Sequence, residues 1–155
     1  MNSYVTSVLN QLEILVESIS SIIYQLKEED LQVQPIATKR SIGELLKHIS
    51  VICKAHYLIL NNASKEEMDK FYDSIMLCTL LDIEQQLVEN FIFLKDNISK
   101  YKEEELIEQT TSYWGVTYTR YEWLLEIVIH ISHHRGQLYT MLNHYRKDLK
   151  VQLFE

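Results

Sequence analysis

Residues 41–62 read SIGELLKHISVICKAHYLILNN, and this stretch decides the fold class. Ser41 opens it as an N-cap with Glu44 three residues later. In that capping-box spacing each side chain satisfies a free backbone N–H of the other residue. Beyond the cap, Ile42, Leu45, Leu46, Ile49, Cys53, Tyr57 and Leu60 recur every three or four residues. They therefore share one face of a helix, where a strand would need alternation. The pattern predicts a helix running to about Asn62.

The same period extends outward from this stretch. A first helix is expected from about Ser3 to Leu26, with Val5, Val8, Leu9, Leu12, Ile14, Leu15, Ile19, Ile22 and Ile23 as its apolar stripe, ending before the charged Lys27-Glu28-Glu29-Asp30. A third opens near Asp82 and carries Leu87, Phe91, Leu94 and Ile98; a fourth runs from about Thr119 to Arg146, with Gly136 as its only weak point. Residues 65–81 are expected to hold a short helix, and residues 101–118 a longer, partly extended connection. Three glycines and one proline in 155 residues supply too little turn punctuation for many short strands. The expected fold is all-α: one antiparallel four-helix bundle domain spanning residues 1–155, with a short extra helix or irregular connection between the second and third helices.

Charge and composition exclude several function classes. Fifteen basic against 22 acidic residues give a net charge of −7, with no basic cluster, so a nucleic-acid backbone would be repelled. No apolar run approaches the length of a membrane span, and Met1-Asn2-Ser3-Tyr4 has neither the basic nor the apolar region of a signal peptide; a cytoplasmic location is expected. Cys53 and Cys78 are expected as reduced thiols packed in helices.

Six histidines are present: His48, His56, His130, His133, His134 and His144. His130 and His134 stand four apart, so on a helix they share a face and can share one ion. Taken alone, such a pair is common by chance, and a third ligand must come from elsewhere. With Leu124, Val128, Ile131, Leu138 and Leu142 as the inward stripe, both fall about 80° to 120° to one side of its centre, flanking the core. His133 and His144 fall nearly opposite and are expected to face solvent. On the second helix His48 lies at the stripe's edge, about 120° from its centre, while His56 is closer to the centre. Periodicity leaves both open as third ligand and favours His56 as a buried side chain.

Ser41-Ile42-Gly43-Glu44-Leu45-Leu46-Lys47-His48 and His130-Ile131-Ser132-His133-His134-Arg135-Gly136-Gln137 resemble the paired motifs of the DinB/YfiT-like four-helix bundle family, and the resemblance covers nearly the whole chain. By motif position it implies His48, His130 and His134 as ligands of a divalent ion, zinc or nickel. It also implies a homodimer and a small-molecule substrate, for members of this family include transferases acting with low-molecular-weight thiols and proteins described as metal-dependent hydrolases. A three-histidine ion with an open position can lower the pKa of a bound water or hold a thiol as thiolate. A non-catalytic stress-related or ligand-binding bundle, with a structural or vestigial ion, is the alternative.

Glu44 lies four residues before His48 and Glu126 four before His130, so each is a candidate partner of its histidine or a candidate base. Both are also ordinary solvated helix positions. Arg135 projects into the apolar stripe, which calls for an ion pair within the bundle or at a dimer interface, or for a guanidinium that snorkels to water. Gly136 is expected to permit a close helix contact, and Gln137 to support a ligand or to lie on the polar surface. Tyr113, Trp114, Tyr118, Tyr121 and Trp123 are expected as core or interface filling before pocket lining.

Overall fold

Caps set the helix boundaries. In the computed structural model, which describes residues 2–153, helices α2 (Ile42–Ile59), α3 (Lys65–Asp73), α4 (Leu80–Ile98) and α6 (Arg120–Tyr145) each start at a reciprocal capping box. The boxes are Ser41 with Glu44, Ser64 with Glu67, Thr79 with Asp82, and Thr119 with Glu122. Helix α1 (Ser3–Tyr24) starts instead at Asn2, whose side chain accepts from the Tyr4 N–H at 2.8 Å. A 3-10 turn (Glu28–Gln32) follows α1. A one-turn helix α5 (Glu103–Leu106) and an antiparallel hairpin, β1 (Gln109–Thr111) with β2 (Thr117–Thr119), fill the connection into α6. The hairpin turns at Gly115, whose φ of +93° suits glycine. The third helix begins slightly earlier than Asp82 because Asp82 serves as the acidic half of its cap.

Helices α1, α2, α4 and α6 form a four-helix bundle, with α2 and α1 at diagonal corners, each touching α4 and α6. Two neighbouring pairs are antiparallel. Ser20 meets Glu84 and Glu13 meets Lys95 between α1 and α4, while His48 meets His134 and His56 meets Trp123 between α2 and α6. The other two pairs run parallel, an arrangement that the expectation of a plain antiparallel bundle did not contain. Ser50 meets Asn90 and Tyr57 meets Phe93 between α2 and α4, and Ser18 meets Arg135 between α1 and α6. The long connection through α3 carries the chain back, so α4 starts at the same end as α2. The expected domain limits, residues 1 and 155, lie outside the described residues.

The core is the expected stripes meeting in the middle. Leu12, Ile19, Ile22, Ile42, Leu46, Ile49, Ile83, Leu94, Ile127, Ile131 and Leu138 are all buried. Burial of such side chains is the main stabilising term, at about 25 cal/mol per Å² of apolar surface. Gly43 marks the tightest approach: a Cβ there would stand 2.7 Å from the Leu31 carbonyl oxygen of the 3-10 turn. Beside it, buried Asp30 accepts from Tyr145 Oη at 2.9 Å and pairs with Arg146 at 3.2 Å, tying the turn to the end of α6. Cys53 is buried in α2, whereas Cys78 is exposed and precedes α4, outside any helix. Among the described residues no helix is long and apolar enough to cross a membrane.

Candidate metal centre

The capped start of α2 fixes that helix's phase, which turns His48 towards α6. Because α6 runs the other way, His134 stands opposite His48, and His130 stands between His48 and His56. Nε2 of His48 is 3.1 Å from Nε2 of His134 and 3.3 Å from Nε2 of His130. His48 and His130 are half-buried and His134 is buried.

These separations fit an ion better than hydrogen bonds alone. One Nε2 of His48 carries at most one proton, so it cannot bond well to two other ring nitrogens at once. At zinc–nitrogen distances of about 2.0–2.1 Å, a tetrahedron has edges of about 3.3–3.4 Å, close to both separations. One ligand atom from each of the three residues lies within 4.8 Å of the others, so the group can hold a metal ion.

The imidazoles are also kept neutral, the form that ligates. Burial, then the charge of Arg40 and the neighbouring histidines, pushes His48 down to about 4. Burial and the adjoining His134 and His133 lower His130 to about 4. His134 is lowered mainly by burial, and its bond to Gln137 works in the opposite direction.

The remaining ring nitrogens have partners that fix their tautomers. Nδ1 of His134 lies 2.6 Å from Oε1 of Gln137; an amide oxygen only accepts, so His134 donates from Nδ1 and keeps its Nε2 lone pair for the shared centre. Gln137 thus holds the His134 ring. Nδ1 of His130 lies 2.9 Å from Nε2 of His56. For His130 to offer Nε2 to an ion, its Nδ1–H must donate to His56, which must then carry its own proton on Nδ1. That atom is buried and has no hydrogen-bond partner among the described residues. His56 is held down to about 3, by burial first and then by His130 and His48.

Neither glutamate bonds to its histidine among the described residues, which leaves both as the ordinary helix positions that were the other reading. Glu44 turns its carboxylate back to the Ser41 N–H at 2.7 Å, closing the cap instead of reaching His48. Glu126 is half-buried and makes no hydrogen bond or ion pair to a histidine among the described residues. His56, and not Glu126, stands beside Nδ1 of His130. The spacing of His48 and His56, eight residues and just over two helical turns apart, was the available signal for this, since it keeps both on one side of α2. His133 and His144 are exposed, as their helix phase required.

Three neighbouring expectations also resolve. Arg135 is only 4% exposed and donates from Nη1 to Ser18 Oγ at 3.0 Å, so the guanidinium reaches α1 and does not snorkel to water. Gly136 makes no close contact: a Cβ there would meet nothing within 4 Å, because the position is exposed on the wall of a cavity. Of the aromatics, Trp123 is buried, with ring centroids 4.9 Å from Tyr118, 6.1 Å from Trp114 and 6.4 Å from His56, whereas Tyr113, Trp114 and Tyr118 are partly exposed.

With fold and site in view, the chain belongs to the DinB family, whose sequence pattern it matches over residues 1–145. A protein from Exiguobacterium sibiricum described as belonging to that family superposes with a TM-score of 0.88 at 29% identity, over 99% of each chain. DinB-like proteins of Bacillus cereus (TM-score 0.73, 18% identity, 94% of this chain and 93% of that one) and Bacillus subtilis (YjoA; 0.71, 18%, 97% and 96%) share the fold. No curated protein matches the sequence.

Proposed function

We propose that this DinB family member is a metal-dependent enzyme acting on a small molecule, with His48, His130 and His134 holding one divalent ion, zinc or nickel. The observation that carries the proposal is the approach of the three Nε2 atoms from two helices, at 3.1 and 3.3 Å. A divalent ion held by three neutral imidazoles supplies Lewis acidity and lowers the pKa of a water or thiol that binds it. With no carboxylate in the set, the ion's full double charge remains uncompensated, which strengthens that effect. The chain's own residues orient the ligands: Gln137 holds His134, and His56 holds His130. This chemistry suits hydrolysis or S-transfer from a low-molecular-weight thiol. Family resemblance supports a homodimer.

Elemental analysis of protein purified without added metal tests the reading. Wild type is expected to hold about one equivalent of a transition metal, and His134→Ala a small fraction of it, because loss of one of three ligands removes most of the affinity. Equal metal content in the two would overturn the proposal. A non-catalytic, ligand-binding role with a structural ion is the second reading, favoured by the engagement of Glu44 in its cap and, among the described residues, the lack of a carboxylate bonded to any of the histidines.

A further inference from the structure

Between the segment that precedes α2 and the second half of α6 lies a solvent-open cavity of about 590 Å³. That volume is in the range of small-molecule sites. It shares a side chain with the histidine cluster: Gln137 lines the cavity and is the residue bonded to His134. Leu45, three residues before His48, and Met141 give it an apolar surface. Lys39 and Arg40 bring two positive charges to its wall, and His133 adds an imidazole. Among the described residues the wall holds no carboxylate, on a chain whose net charge is −7. Acidic residues outnumber basic ones elsewhere, so this local excess of positive charge departs from the chain's background.

We propose that this cavity is an anion subsite: it receives the acidic end of a small substrate, lays the substrate's apolar arm on Leu45 and Met141, and directs its reactive end to the three histidines. The inference rests on the metal-site reading above and adds the class of substrate, an oxyanion-bearing small molecule. Lys39 and Arg40 are exposed, so their attraction is screened and moderate. Together they are expected to favour an anionic over a neutral ligand by about tenfold.

Three short thiols of matched length separate the possibilities: anionic 3-mercaptopropionate, neutral 2-mercaptoethanol and cationic cysteamine. Each is titrated into the cobalt(II)-loaded protein and followed by the sulfur-to-cobalt charge-transfer absorption. The anionic thiol is expected to bind about tenfold more tightly than the neutral one, and the cationic thiol more weakly than either. The preference should vanish in a Lys39→Ala/Arg40→Ala double variant that still takes up cobalt, and it should shrink at about 1 M salt. Equal affinities for the three thiols would overturn the subsite and leave the metal reading standing. Failure of wild type to take up cobalt would instead overturn the metal reading. Calorimetry of glutarate on the metal-free chain then decides the subsite: binding that the double variant loses supports it, and no binding overturns it.

Discussion

A His56→Phe substitution separates a positioning role for this residue from a structural one. In the wild type the His56 ring is 8% exposed, meets Nδ1 of His130 at 2.9 Å, and leaves its own Nδ1 buried without a partner among the described residues. Phenylalanine fills nearly the same space beside Trp123 but offers no acceptor to His130. The lost neutral hydrogen bond is worth about 0.5–1.5 kcal/mol. Freeing the His130 tautomer adds a few tenths, roughly RT ln 2, so metal affinity should fall about tenfold. Outer partners of metal-bound histidines typically contribute roughly 10–100-fold, which agrees. The metal-free fold should behave in the opposite sense. Removing a buried polar atom that lacks a partner relieves a cost of about 1 kcal/mol or more, so the metal-free variant should unfold at the same or a higher temperature than wild type. Zinc affinity is measured by competition with a chromophoric chelator, alongside thermal unfolding of the metal-free chain. His56→Gln, which retains an acceptor oxygen, should recover part of the affinity. Unchanged zinc affinity in His56→Phe would refute the positioning role, and a loss as complete as that of His134→Ala would make His56 a ligand.

The buried imidazoles also set a pH dependence. His56 is held to about 3 and His48 and His130 to about 4, against an ordinary 6.5, so on acidification the unfolded chain binds protons first. The metal-free protein should therefore have its full stability above about pH 7 and lose it progressively between about 6.5 and 4, with a lower urea midpoint at pH 5 than at pH 7.5; equal midpoints would contradict the burial argument. Gly43→Ala drives a Cβ to 2.7 Å from the Leu31 carbonyl oxygen, a backbone atom that cannot swing away. It should destabilise the fold by about 1–3 kcal/mol despite alanine's better helix propensity, and an unchanged denaturant midpoint would show that the 3-10 turn can move aside.

Much of this protein was legible along the chain. Helix existence and inward faces follow from the 3.6-residue period, and the start of α2 was readable from Ser41 and Glu44. The same device stands at Ser64 with Glu67, Thr79 with Asp82 and Thr119 with Glu122, so the starts of α3, α4 and α6 were readable as well. The exposure of His133 and His144 followed from helix phase alone. These are local properties: a cap and a stripe depend on residues within one or two turns of each other, and the chain order states those distances directly.

Three matters required the tertiary structure. Helix pairing did, because α2 and α4 run parallel through the return path of α3, which no periodicity encodes. The identity of Gly43, not Gly136, as the close-approach glycine did too, since the crowding atom belongs to Leu31, outside the helix. Above all, the division of labour among the histidines was non-local. His48 and His56 both flank the inward face of α2, and sequence phase could not separate a side chain meeting two ring nitrogens from one holding the back of a third ring. Where α6 lies, and in which direction it runs, decides that. A helix's sequence sets the angle at which each side chain leaves the axis, but what it meets there depends on a segment some 80 residues away, brought near by burial of the shared apolar core.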